Sequence, residues 1–319
     1  MRMFILLLAV LLILTGCTAE KSPEIGLCIH AETVFTQTYA KMISDALKQQ
    51  GCRVTICYSH NNQTTQNRQL QRLIDEGCDG LVISPVMIGE AEALVQTVKN
   101  ANIPAVFVSR EPAENALAVW DRVSYVGCDP AGAGKAQAQL LLNTPNRGDV
   151  DGDGVLSYVV LQGQQESLNA RDRTDHALRT LWDAGVTTDE LRIYCTDGQK
   201  ETATRTIKKA LKDFPEAMEA VLCNTDTMAL AVMEVLQQRG VVIGKEIYLL
   251  GMDGTPRALK QVLAGKLTGT VLEDYPRQAR HVAITMQQML SGQSVQKHCY
   301  VPHIPIDREN AAQYIPWWQ

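Results

Sequence analysis

The sequence predicts an α/β protein of two doubly wound parallel-sheet lobes, and three observations carry that prediction. Short runs rich in β-branched residues alternate with longer amphipathic stretches of helical period. The alternation runs down to VSYVG (123–127) and restarts at LSYVVLQG (156–163). A chain of 319 residues also normally divides into two domains. Strands separated by helices of about 10–15 residues make βαβ units, and βαβ units make parallel sheets.

In the first series, the strand-like runs are EIGLCI (24–29), RVTICY (53–58), GLVISP (80–85), IPAVFVS (103–109) and VSYVG. Helical periodicity fills the gaps over 37–50, 65–75 and 90–100. In the second series, LSYVVLQG, LRIYCT (191–196), AVLCNTD (220–226) and IYLLGMD (247–253) alternate with helical stretches over about 170–184, 201–212 and 227–239. The segment DPAGAGKA (129–136) looks superficially like a phosphate-binding loop. It lacks that motif's first glycine and its Ser/Thr after Lys135, and reads as a helix start.

The first seventeen residues stand apart. Arg2 precedes an apolar run from Phe4 to Leu14, too short to span a bilayer as a helix, which needs about 20 residues. A basic start, a short apolar stretch and small residues before a cleavage point read as a secretory signal peptide. The string LTGC (14–17) resembles the lipobox of bacterial lipoproteins, which implies acylation at Cys17 and a polar tether over 18–23. The protein is therefore expected outside the cytoplasmic membrane, held by lipid on its outer face or in the periplasm.

Eight cysteines follow Cys17, and Cys28, Cys57 and Cys223 sit inside apolar runs, where they read as small buried hydrophobes rather than disulfide partners. A formal net charge of −5 and the lack of a basic patch exclude nucleic acid as a partner. Enzyme chemistry is not expected, because G-x-S-x-G, HExxH and a spaced Cys/His pair are all missing from the sequence.

In doubly wound sheets ligands bind beyond the carboxyl ends of the strands. Polar residues just after strands are thus the candidates: 30–35, 109–111, 167–173, 224–226, Asp253, Glu273 and Asp274, with Asp226 expected as a helix cap. The string DVDGDG places Asp149, Asp151 and Asp153 at alternate positions before Gly154, like the first half of an EF-hand calcium loop. The acid at its twelfth position would be Val160, which coordinates nothing. A solvated acidic turn is the alternative for this loop.

Several strings together resemble the type I periplasmic binding proteins, most closely the bacterial galactose/glucose-binding proteins. They are IPAVFVSREP (103–112), YVGCD (125–129), the Asp-rich loop, NTDTMALA (224–231), GMDGTPRAL (251–259) and GTVLED (269–274). The resemblance implies lobe 1 over 24–126 plus 274–299, lobe 2 over 128–272 plus 301–319, and three hinge crossings near Gly127, Glu273 and Tyr300. It also implies a monomer that encloses a small polar ligand, a galactose- or glucose-like sugar, and serves an ABC permease. A receptor subunit for a membrane sensor is the alternative.

For the metal, the resemblance implies structural Ca2+ held by Asp149, Asp151, Asp153, the Val155 carbonyl and a distant Glu219, with Ser157 where the family has glutamine. For the ligand, it retains Arg173 and Asp253, a guanidinium fork and a carboxylate suited to paired hydroxyls, and places Phe35 as a stacking face. Ser109, Ser167, Asn169, Thr225 and Glu273 replace family Asn, His, Asp, Asn and Asn, and Lys200 falls near the stacking tryptophan. If buried, Lys200 and Glu273 must pair with each other or with the ligand, which implies a charged or modified sugar or a non-sugar ligand. Alternatively Lys200 points to solvent.

Overall fold

The computed structural model describes residues 22–165 and 167–318. The signal peptide and Cys17 lie outside the described residues. The first lobe contains β1 (Glu24–Ile29), α1 (Val34–Gln49), β2 (Arg53–Tyr58), α2 (Gln63–Asp75), β3 (Gly80–Ile83), α3 (Ala91–Asn100), β4 (Ala105–Val108), α4 (Glu114–Ala118) and β5 (Val123–Gly127). The second contains α5 (Pro130–Leu142), β6 (Leu156–Gln162), α6 (Leu168–Asp183), β7 (Thr188–Cys195), α7 (Lys200–Asp213), β8 (Ala220–Cys223), α8 (Asp226–Gln238), β9 (Tyr248–Leu250) and α9 (Pro256–Leu263). The chain then runs through β10 (Thr270–Glu273), α10 (Tyr275–Leu290), β11 (His298–Tyr300) and β12 (His303–Ile306).

The first sheet has the order β11-β5-β4-β3-β1-β2 and the second β7-β6-β8-β9, with every pairing in both parallel. Each sheet reverses direction beside its first strand, between β1 and β3 and between β6 and β8. The inner strands β3, β4 and β8 (GLVI, AVFV, AVLC) are buried at every residue. Such continuous apolar runs are what a strand covered on both faces requires. The edge strands β2 and β7 mix exposed and part-buried residues.

The alternation had no place for β10 and β12, which form a separate antiparallel pair with Glu273 opposite His303. After β5 the chain enters α5, which packs on α6; after β10 it enters α10, which packs on α1; after β11 it leaves the first sheet for β12. The chain therefore passes between the lobes beside Gly127, Glu273 and Tyr300. A side chain at Gly127 would sit 2.1 Å from the Tyr125 hydroxyl, so the first passage needs glycine.

Local chemistry sets the helix starts. Thr33 caps α1 in a reciprocal box with Thr36, so α1 begins at Val34, earlier than its apolar period. Asp129 caps α5 and Pro130 occupies its first turn, so DPAGAGKA is a helix start. Its Gly134 has a packing reason: a Cβ there would lie 2.2 Å from the carbonyl oxygen of Arg173 on α6. Exchanging helical glycine for alanine normally stabilises by about 0.5–1 kcal/mol. Here Gly134→Ala is expected to destabilise by about 1–3 kcal/mol, because the two helix backbones must separate. Urea unfolding checks the sign, and a variant at least as stable as wild type refutes the close contact.

Candidate functional site

A cavity of about 400 Å³ opens between the loop after β1 and the loop after β9, beyond the carboxyl ends of strands in both sheets. Val34 and Phe35 at the start of α1 line it from one lobe, Asp253, Thr255 and Pro256 from the other, and Tyr275 from the start of α10. Phe35 and Tyr275 meet edge to face at 5.0 Å between ring centroids, and Tyr39 lies 5.2 Å from Tyr275. Phe35 thus forms part of the cavity wall. Tyr275 escaped the sequence reading although it directly follows GTVLED.

Arg173, on α6, reaches Asp253 through Nη1 at 3.4 Å and donates from the same nitrogen to the Asn224 carbonyl at 3.0 Å. Its Nε is buried and has no acceptor among the described residues. Asp253 holds a φ of 109°, a conformation L-residues rarely adopt. Its N–H donates to the Val271 carbonyl at 2.8 Å, which fixes the loop after β9 to β10.

Asp226 lies beneath that loop, fully buried. Its carboxylate accepts from the Thr255 N–H at 2.6 Å, the Thr255 hydroxyl at 2.9 Å and the Thr270 hydroxyl at 2.6 Å. The expected cap role passes to Thr225, whose hydroxyl accepts from the Met228 N–H. Burial, then the charge of Asp253, pushes the Asp226 carboxyl up to about 8. Asp253 is likewise pushed up by burial, to about 6, with Arg173 opposing and Glu273 adding to the rise.

Glu273 closes β10 and accepts from Gln278 Nε2 at 3.2 Å, while Gln278 Oε1 accepts from the Tyr39 hydroxyl at 2.8 Å. Opposite it, His303 is held down to about 4 by burial and then by Arg173. Neither period nor motif marked His303. The structure thus brings Phe35, Arg173, Asp253 and Glu273 to one region. Ser167 instead caps α6 through the Ala170 N–H, Asn169 is exposed in the first turn of α6, and Ser109 is exposed after β4 at a φ of 64°. Lys200 stands apart from the cavity lining: its Nζ pairs with Glu234 Oε2 at 2.7 Å on the α8 surface.

In the Asp-rich loop, Asp149, Asp151 and Asp153 each offer a carboxylate oxygen within 4.8 Å of the others. Asp149 also accepts from the Gly152 and Gly154 N–H groups, and Asp153 from the Val155 N–H. Glu219, just before β8, comes to this loop across the sheet. It accepts from the N–H groups of Val150 at 2.6 Å, Asp151 at 3.1 Å and Ser157 at 2.8 Å. None of the three aspartates has a cationic side-chain partner among the described residues, so a hard cation fits their charge and oxygen chemistry.

The sequence pattern of the periplasmic binding protein domain matches residues 25–294. The chain belongs to the periplasmic binding protein family. Among its relatives, the D-galactose/methyl-galactoside binding periplasmic protein of Haemophilus influenzae is 26% identical over 278 residues, covering 83% of each chain. Two solved structures share the fold. One is an ABC transporter periplasmic solute binding protein from Actinobacillus succinogenes with bound D-allose, with a TM-score of 0.76 and 18% identity over 92% of this chain and 100% of that one. The other is an ABC transporter solute binding protein from Bacillus halodurans with bound myo-inositol, with a TM-score of 0.71 and 20% identity over 94% of this chain and 100% of that one.

Within this binding protein, the eight cysteines from Cys28 to Cys299 are free thiols. Cys28, Cys57 and Cys223 are buried in their strands, as their apolar surroundings predict. Among the described residues no helix is long and apolar enough to cross a membrane.

Proposed function

We propose that this protein is an exported, lipid-anchored, monomeric solute-binding protein that encloses one polyhydroxylated ring between its lobes and presents it to an ABC permease. The observation that carries the reading is the Arg173–Asp253 pair beside a cavity that both lobes line. Galactose, D-allose and myo-inositol, named for the relatives, are all hydroxyl-rich rings that a guanidinium fork and a carboxylate can bracket. Thermal shift against a panel of hexoses, pentoses and cyclitols tests it, since ligand at a hundred times Kd adds about 2.7 kcal/mol to the folded state. No shift with any member of the panel refutes the reading. Recovery of a membrane sensor rather than a permease in pull-down would favour the receptor role.

With a bound ring in hand, calorimetry on single variants locates the binding energy. Arg173→Ala and Asp253→Ala are each expected to lose about tenfold to more than a hundredfold in affinity, at about 1.5–3 kcal/mol per charged hydrogen bond. Lys200→Ala should lose almost nothing, because its partner is Glu234. Near-wild-type affinity in the first two variants places the site elsewhere.

Anchoring through Cys17 rests on the LTGC string. Cys17→Ser should leave the protein unacylated and move it from the membrane fraction to the soluble one. Unchanged partitioning and precursor length in both forms contradict lipidation.

Structural Ca2+ in the Asp-rich loop is supported by three converging carboxylates and by Glu219 beside them. Bound there, the ion would draw together a loop whose like charges otherwise repel. Calcium should raise the Tm, and the double variant Asp151→Ala, Asp153→Ala should abolish that rise. A wild-type Tm indifferent to both calcium and chelator sinks the proposal.

A further inference from the structure

The charges around the cavity do not balance. Asp253 and Glu273 stand on the second-lobe side, and among the described residues Arg173 is the one cation paired with either of them. Asp226 is satisfied by its threonine donors and Asp253 by Arg173. Glu273 has only the neutral amide of Gln278, which it shares with the Cys128 sulfur at 3.2 Å.

Lys200, Arg110 and His303 do not answer Glu273. Lys200 pairs with Glu234 on the surface. Arg110 donates to the carbonyls of Val86 at 2.6 Å and Pro85 at 3.4 Å. His303, opposite Glu273 on β12, is kept neutral by burial. The negative charge of Glu273 is felt by its neighbours: after burial it is the next cause that pushes up Tyr39, Tyr125, Tyr275 and Cys128. A part-buried carboxylate with a single neutral donor gains from a cation beside it.

We propose that the ligand is a polyhydroxylated ring bearing an amine, its ammonium seated against Glu273 and Asp253 while the unpartnered Nε of Arg173 donates to a ring hydroxyl. This rests on the solute-binding reading above and narrows its ligand class. An ammonium brings three donors and the missing positive charge. A neutral ring leaves Glu273 with the Gln278 amide alone.

The test is calorimetry at pH 7 with amino-hexoses and aminoinositols, each beside its hydroxyl parent and its N-acetyl derivative, on wild type and Glu273→Gln. At least one amine is expected to bind tenfold or more tighter than its parent, with acetylation removing the gain and Glu273→Gln bringing the ratio to about one. The ligand-free Glu273→Gln protein should also melt above wild type, since the uncompensated charge is gone. Parents that bind as tightly as every amine overturn the amine assignment and leave the sugar reading standing. A ratio that survives in Glu273→Gln, or a ligand-free variant that melts lower, overturns the role of Glu273. If neither series binds wild type, the solute-binding reading falls and this inference with it.

Discussion

The buried carboxyl of Asp226 ties three elements together. It begins α8, holds the loop before α9 through both polar atoms of Thr255, and holds β10 through Thr270. A side chain on Gly251 would sit 2.3 Å from its Oδ1, so the end of β9 closes over it. That clamp fixes the loop carrying Asp253, and Asp253 in turn aims at Arg173. Full burial of a carboxylate is tolerated because three donors replace its water.

The same loop stores strain. Asp253 at a φ of 109° and Gly254 at 62° turn the chain so tightly that a Cβ on Gly254 would lie 2.5 Å from Leu272. Backbone conformations of this kind persist where surrounding bonds over-determine them, and they gather at binding sites. Here the bonds are those from Asp226 and from the Val271 carbonyl. Strain, clamp and ligand site are therefore one construction on one side of the cavity.

On the other side the support is aromatic. Phe35, Tyr39 and Tyr275 form a packed cluster, and the Tyr39 hydroxyl reaches Gln278, which reaches Glu273. The chain passage at β11 is braced by a separate polar group. His298 lies 2.9 Å from Glu111 and 2.7 Å from Glu114 through its two ring nitrogens, and the Tyr300 hydroxyl donates to Glu111. These contacts join the loop after β4 to the strand that leads out of the first lobe.

The sequence by itself determined the α/β class, the two series of strands and the Asp-rich turn, while Arg173 and Asp253 are singled out by the family resemblance. The first three are written in local pattern: a period of 2 or 3.6, or alternate aspartates. The tertiary structure alone decided the antiparallel β10–β12 pair, the cavity positions of Tyr275 and the place of His303, the transfer of the α8 cap from Asp226 to Thr225, and the partner of Lys200. The physical reason is that charge and hydrogen-bond satisfaction depend on which groups meet across many residues of chain. Glu273 read the same whether Lys200 answered it or not, and only the fold put Glu234 beside Lys200 and left Glu273 with a neutral amide.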